Sequence, residues 1–135
     1  DVMPLVTQHG MLLEEYQQEF MPLKIFVRPA KERFKIREDI EFDVALKNVS
    51  KRHMIVRSLG HDTLYFMINN QVWGTSPLSG QRGGSNEVLR SGEETVLRFK
   101  GESFQRPQEV EITCFYRMSL EGVNPIGRST FVIEE

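Results

Sequence analysis

The sequence has few of the residues that mark specialised classes of protein. Its 135 residues include a single cysteine, Cys114, which excludes an intrachain disulfide framework. A formal net charge of -2 argues against a nucleic-acid partner, because a nucleic-acid-binding domain usually carries a concentrated basic patch. No run approaches the roughly 20 apolar residues of a membrane span. One cysteine fits a reducing compartment and an exported domain equally, so bacterial cytoplasm and cell envelope both stay open as locations.

What the sequence does contain, from residue 23 onward, is a period of two. In 40–47 the apolar residues Ile40, Phe42, Val44 and Leu46 alternate with mainly polar ones, which is typical of a half-buried strand. In 110–118 the alternation runs through Val110, Ile112, Cys114, Tyr116 and Met118, and in 63–68 through Leu64, Phe66 and Ile68. Weaker strand patterns lie at 23–28, 54–58, 87–90, 94–100 and 128–133. These patterns predict an all-β chain.

Turn residues separate the predicted strands. Asn69-Asn70 favours a tight hairpin that returns through Val72 and Trp73, because asparagine tolerates positive φ. Ser91-Gly92 marks another turn. Short strands at this spacing predict an antiparallel immunoglobulin-like β-sandwich of about seven to nine strands over 23–135, with no helical crossover for parallel strands.

The segment 1–22 has a different pattern and is predicted to be a helical or extended N-terminal segment. Leu12 or Leu13, Tyr16 and Phe20 fall at helical spacing, and Pro22 ends the pattern. We expect a short amphipathic helix here, packed on the sandwich.

Histidine and cysteine side chains give weak indications of chemistry. His9 is followed by Met11, and His53 by Met54, and nitrogen with thioether ligands suits copper. Adjacent side chains of an extended segment point to opposite faces, however, so His53 and Met54 do not face one ion. Cys114 shares the inward parity of its strand and is expected to act as a small hydrophobe. We therefore predict no metal site and no cofactor.

Acid–base catalysis has no better support in the sequence. Glu41 and Asp43 face outward from one strand, where nothing would perturb a carboxyl pKa as a general acid requires. No nucleophile-elbow motif is present. The chain is predicted not to be an enzyme.

The long connection Gly74–Asn86, GTSPLSGQRGGSN, is the most informative irregular segment. It has four glycines and lacks the Gly-Lys-Ser/Thr ending of a phosphate-binding loop. Irregular connections of this length are usually functional or mobile. Trp73 opens it, and tryptophan and arginine are frequent interface anchors. The predicted partner-binding residues are Trp73, Pro77, Leu78 and Arg82; the alternative is a flexible crossing between sheets with Trp73 on the core.

Two segments resemble a known family. FDVALKNVSKRHMIV at 42–56 and VLRSGEETVLRFKG at 88–101 are similar to bacterial immunoglobulin-like sandwich domains, and among these to the Bacillus-type intracellular proteinase inhibitor family. That family tends to end with a Pro-Gly-Thr-Tyr turn, whereas this chain has EGVNPIGRSTF at 121–131. The resemblance implies the sandwich fold and suggests protease inhibition.

The sequence therefore predicts a non-catalytic module that binds or assembles with a protein partner through loops and strand edges. The first alternative is a proteinase inhibitor that presents loop 74–86, with Leu78 or Arg82 as its specificity residue. The other alternative is a copper-binding periplasmic domain.

Overall fold

Eleven β-strands make up the part of the chain that the computed structural model describes, residues 21–60, 62–78, 85–117 and 124–135. The strands are β1 (Leu23–Pro29), β2 (Arg33–Lys35), β3 (Ile40–Asn48), β4 (Met54–Arg57), β5 (Leu64–Ile68), β6 (Gln71–Val72), β7 (Thr75–Pro77), β8 (Asn86–Leu89), β9 (Glu94–Gly101), β10 (Gln108–Tyr116) and β11 (Ile126–Glu134). The all-β prediction is confirmed, but the described residues form eleven strands where seven to nine were predicted, because strands of two and three residues show no period in the sequence. The predicted helix, within 1–22, falls almost entirely outside the described residues.

Two sheets and a separate ribbon hold these strands. One sheet has the order β1-β3-β9-β7, the other has the order β2-β11-β10-β5-β6, and β4 pairs with β8 alone. The strands β1 and β2 follow each other in the chain but join different sheets. The amide of Ala30 still bonds to Glu41 of the first sheet, at 2.9 Å, whereas the carbonyl of Glu32 already accepts from Val132 of the second, also at 2.9 Å.

The pairing of β2 with β11 corrects the expectation of a purely antiparallel fold. These two strands run parallel, with Phe34 opposite Ile133. A parallel pair needs a long connection, and here nearly the whole domain lies between the two strands, so no helical crossover is required.

The core lies between the two sheets and takes the apolar residues of each alternating strand. Phe42 on β3 is its centre: its ring lies 5.1 Å from that of Phe66 and stacks on Phe99 at 5.8 Å and on Trp73 at 5.6 Å. Burying each such side chain contributes about 1.5–3 kcal/mol, so these aromatic contacts tie β3, β5 and β9 into one unit. The buried apolar residues of β10 are Val110, Ile112, Cys114 and Tyr116, as the alternation predicts.

The β4–β8 ribbon is joined to the sandwich through Asn48. This side chain is fully buried, and its Nδ2 donates to the carbonyls of Arg52 and Leu89, both at 2.8 Å. Its Oδ1 accepts from the amide of Ser50 at 2.9 Å and from the hydroxyl at 2.6 Å. All four hydrogen-bonding positions of the amide are filled. The Asn-x-Ser triplet is therefore a structural joint, and in the folded chain its asparagine is not accessible to glycosylation.

Candidate interaction surface

The structure separates the residues that were predicted to bind a partner. Trp73 is only 5% exposed, with its ring in the core between Phe42 and Phe104. Pro77 is half-buried at the end of β7, and Leu78 follows it at 43% exposure. Arg82 lies outside the described residues. Pro77 and Leu78 are thus brought together at a sheet edge, whereas the tryptophan ring is part of the core in this structure.

The connection Gly74–Asn86 is less irregular than predicted. Its first part forms β7, which pairs with β9 so that Thr75 lies opposite Gly101, and its last residue begins β8. The amide of Leu78 extends the pairing by donating to the carbonyl of Arg98 at 3.0 Å. Three residues that include a proline give little strand signal, and the open edge of β9 supplies the pairing that the sequence does not reveal.

The exposure of the His53 and Cys114 side chains agrees with their parity in the sequence. His53 is exposed and Met54 is buried, so the two side chains do face opposite ways. Cys114 is fully buried, and this burial raises the pKa of its thiol well above the usual range. It is therefore an inert core residue, as predicted. His9, Met11 and His61 lie outside the described residues.

The described ranges contain neither a metal-ligand cluster nor a membrane-spanning helix. No group of three or more His, Cys, Asp or Glu side chains there is placed to hold a metal ion. No helix of the same part of the chain is long and apolar enough to cross a membrane.

The outer face of the five-stranded sheet carries an aromatic pair. Tyr65 on β5 lies directly opposite Phe115 on β10, and their rings stack at 4.5 Å with an interplanar angle of 9°. The guanidinium of Arg117 lies 4.7 Å from the centre of the Tyr65 ring. A cation–π contact of this kind attracts the guanidinium to the face of the tyrosine ring, so Arg117 belongs to the same surface cluster as the aromatic pair.

Apolar side chains extend this pair across the sheet. Met67 on β5 lies opposite Val72 on β6, whose side chain is 80% exposed. On the other side, Ile126 on β11 lies opposite Phe115. We call this surface the aromatic face; it consists of Tyr65, Met67, Val72, Phe115, Arg117 and Ile126.

The charges around the aromatic face are basic. Arg128 lies opposite Thr113 in the row of Met67, and Arg117 follows Phe115 at the end of β10. The nearest acidic residue by register is Glu111, which lies one row away and opposite Thr130. Within the described residues the face is therefore apolar with a basic border.

The outer face of the four-stranded sheet combines ion pairs with two exposed apolar side chains, Phe26 at 38% and Val96 at 39% exposure. Arg98 contacts Asp43 at 2.7 Å, and Arg28 makes two hydrogen bonds of 3.1 Å to Glu94. The hydrogen bonds from Arg28 lower the pKa of the Glu94 carboxyl. Exposed ion pairs of this kind contribute little to stability, and here they lie beside the exposed apolar residues of the same face.

A groove of about 540 Å³ lies further along the five-stranded sheet. Its lining includes Glu32, Arg33, Asn69, Glu109 and Glu111. Val110, Phe131 and Val132 also line it, so the groove is part polar and part apolar. Its carboxylates form no group that could hold a metal ion within the described residues.

The aromatic face was not identified from the sequence. Tyr65, Met67 and Phe115 occupy the outward parity of their strands, where polar residues were expected. The available signal was the residue type itself, because aromatic residues and methionine at outward positions are uncommon on free surfaces and enriched at interfaces.

Comparisons with known proteins show the fold. No protein-family model matches the chain, and no curated protein sequence does either. Among solved structures, the chain is similar to the CARDB domain of the PF1109 protein from Pyrococcus furiosus, solved in complex with di-metal ions, at 14% identity and a TM-score of 0.53 over 82% of this chain and 86% of that one. It is also similar to Spo0M, a sporulation control protein from Bacillus subtilis, at 12% identity and a TM-score of 0.56 over 86% of this chain and 51% of that one.

A third similar structure is AvmM, which catalyses a macrocyclization in alchivemycin A biosynthesis, at 15% identity and a TM-score of 0.50 over 84% of this chain and 89% of that one. At such identities the likeness concerns the fold alone. The chain is an immunoglobulin-like β-sandwich, and a fold shared by proteins of such different description does not specify an activity.

Proposed function

We propose that this protein is a non-catalytic binding or assembly module and that the aromatic face is its main contact with a protein partner. The observation that carries the proposal is the stacked Tyr65–Phe115 pair beside the exposed Val72 on the outside of a sheet. Aromatic, methionine and arginine side chains are the types enriched at the centres of protein interfaces.

The basic border suggests the chemistry of the partner. Arg117 and Arg128 flank the apolar centre, so a complementary surface presents apolar side chains between acidic ones. Arginine also forms two-point hydrogen bonds with carboxylates, which would orient such a partner. We therefore propose a protein surface of acidic and apolar residues as the occupant.

The loop residues belong to the same proposal as a smaller contact. Leu78 is the exposed member of the predicted set, at the edge of the four-stranded sheet, and Arg82 is kept with it as a prediction. The proteinase-inhibitor alternative would have to use Leu78 and the residues after it, because Thr75 to Pro77 are held in a strand.

A comparison of two surface variants tests the proposal. Phe115→Ser truncates the aromatic face, and Val96→Ser replaces an apolar side chain that is 39% exposed on the outer face of the other sheet. Proteins captured from a lysate by the wild type are purified and their affinities measured by calorimetry. We expect Phe115→Ser to weaken the affinity for a directly binding partner by about tenfold or more, as loss of an interface anchor does. Val96→Ser should bind that partner with unchanged affinity.

Two results would contradict it. One is a purified partner that binds Phe115→Ser as tightly as the wild type. The other is an equal loss in both variants, which would reflect reduced stability rather than a lost contact; thermal unfolding of both variants checks this directly.

A further inference from the structure

The β4–β8 ribbon has a regular hydrogen-bonding pattern that defines which backbone groups point away from it. The amide of Ser58 donates to the carbonyl of Ser85 at 2.9 Å, so these two residues face each other across the ribbon. The preceding Arg57 instead directs its N–H and its carbonyl to the hydroxyl of Tyr116, at 2.9 and 2.8 Å. Because directions alternate along an antiparallel pair, Val56 and Glu87 face inward to the ladder.

The same alternation fixes the directions on β8. Val88 lies opposite Ile55, between the inward-facing pairs Val56–Glu87 and Met54–Leu89, so its N–H and its carbonyl point to the outer edge of the ribbon. Within the described residues, β8 pairs with β4 alone. Among the residues that the structure describes, none pairs with the outer edge of β8, where Val88 presents its backbone donor and acceptor.

Exposed apolar side chains accompany this edge. Val88 is 57% exposed, and Ile55, directly across the ribbon, is 49% exposed. They form a pair of the non-hydrogen-bonded type, in which the side chains approach most closely. Natural edge strands are commonly protected by proline, lysine or a bulge, and β8 has the sequence NEVL, with none of these.

The residues around the ribbon give it a local positive charge in a chain whose formal net charge is -2. Within 51–57 and 86–93, the positively charged residues are Lys51, Arg52, Arg57 and Arg90, and the acidic ones are Glu87 and Glu93. Both acidic side chains have internal partners. Glu87 accepts from the hydroxyl of Ser58 at 2.8 Å, and Glu93 accepts from the amide of Arg90 at 2.8 Å.

We propose that the outer edge of β8 accepts an extended, acidic segment of a protein partner as an added strand. The free N–H and carbonyl of Val88 supply main-chain hydrogen bonds, and the Ile55–Val88 pair receives alternate apolar side chains. The surrounding basic residues select acidic side chains at the remaining positions and accelerate encounter.

An anionic membrane is the other surface that an apolar and basic patch could meet. The free strand edge argues against it, because backbone groups that lack partners are costly to place in hydrocarbon. A peptide strand satisfies those groups, whereas a lipid surface does not. A membrane is therefore treated as a competing outcome of the test.

The test uses NMR titration of the whole chain with two synthetic peptides of about one strand length. One peptide alternates Val with Glu, and the matched control alternates Val with Lys. The Val–Glu peptide is expected to shift the amide resonance of Val88 and to slow its hydrogen exchange, with the Val–Lys peptide binding at least about tenfold more weakly. An absent shift at Val88, or equal binding of both peptides, overturns the proposal.

Variants of the edge separate backbone pairing from side-chain contact. Val88→Pro removes an N–H that the ribbon does not use, and proline is tolerated at such edge positions. Val88→Pro is expected to weaken binding of the Val–Glu peptide by about tenfold. Val88→Ala keeps the N–H and is expected to retain most of the binding. Should Val88→Pro fail to fold, Arg90→Glu provides a second variant, for which weaker binding of the Val–Glu peptide is expected.

Binding to vesicles that contain phosphatidylserine tests the membrane alternative. Binding to the vesicles without binding to the Val–Glu peptide would replace the strand-addition proposal with membrane docking. Equal peptide affinity in Val88→Pro and wild type would show that the edge is not the binding element. None of the edge variants changes Phe115. The outcome is therefore independent of the partner proposed for the aromatic face.

Discussion

The hydroxyl of Tyr116 accepts a hydrogen bond from the backbone N–H of Arg57 and donates one to the carbonyl of the same residue, at 2.9 and 2.8 Å. One side chain of β10 thus satisfies both backbone groups of a residue on β4, much as a neighbouring strand would. Since β4 pairs only with β8 in the described part of the chain, this contact and the Asn48 amide fix the ribbon to the sandwich together with the buried side chains of Met54, Val56 and Leu89.

Replacing Tyr116 with phenylalanine tests this tether. The variant keeps the buried ring but leaves two partly buried backbone groups without partners, and we expect it to lower the free energy of unfolding by about 1–3 kcal/mol. Hydrogen exchange of the β4 amides should accelerate more than that of β10. Chemical denaturation and exchange NMR measure the two effects.

Tyr65→Phe is the matched control for that prediction. Tyr65 keeps its stacking on Phe115 and its contact with Arg117 after the hydroxyl is removed. It should change stability by less than about 0.5 kcal/mol, as surface substitutions usually do. Equal losses in the two variants would mean that the hydroxyl of Tyr116 does not hold the ribbon.

The same hydroxyl makes the free energy of unfolding depend on pH in the alkaline range. Burial raises the pKa of Tyr116 to about 12, from 10.0, and the donated bond to Arg57 requires the protonated form. A group whose pKa is raised on folding stabilises the native state fully below the unfolded pKa, and the contribution is lost as the pH rises through the folded one. We therefore expect the stability difference between wild type and Tyr116→Phe to shrink from pH about 10 upward.

Urea unfolding of both proteins across that range measures the difference. All other residues are the same in the two proteins, so their contributions cancel in the comparison. A difference that stays constant up to pH about 12 would contradict the assigned role of the Tyr116 proton.

Alternation of apolar residues was sufficient to locate the longer strands. In β3 and β10 every second residue is apolar, and those residues form the core, because strand side chains alternate between faces and one face is buried. The Asn69-Asn70 turn was equally readable, since both residues adopt the positive φ that a tight hairpin requires.

Features that depend on register could not be read from the sequence. Tyr65 and Phe115 lie far apart in the chain, and only the pairing of β5 with β10 places their rings together. The three-residue strands β2 and β7 offer too few residues for a period to show. Their existence depends on the exposed edges of β11 and β9, which are products of the folded sheets.

Trp73 shows how a loop residue becomes part of the core. Its amide donates to the carbonyl of Phe66 at 3.0 Å, which continues the hairpin and turns the side chain inward. The ring then lies over Gly101 on β9, where a β-carbon would overlap it. No pattern in the sequence indicates that a glycine on a distant strand makes room for this ring.

We expect the effects of substitutions at Trp73 and Gly101 on the free energy of unfolding to be coupled. Trp73→Ala removes a buried aromatic ring and should lower the free energy of unfolding by about 3–5 kcal/mol. Gly101→Ala should cost about 1–3 kcal/mol in the wild type, because its methyl group meets the ring, but much less when the ring is absent. Gly92→Ala serves as the control: Gly92 has a φ of 79° and no neighbouring atom within 4 Å of an added methyl, so its cost should be the same with either residue at position 73. Denaturation of the single and double variants gives both coupling energies; additive losses for Trp73 and Gly101, or a Trp73→Ala variant of near wild-type stability, would place the ring outside the core and return it to the surface that the sequence first suggested.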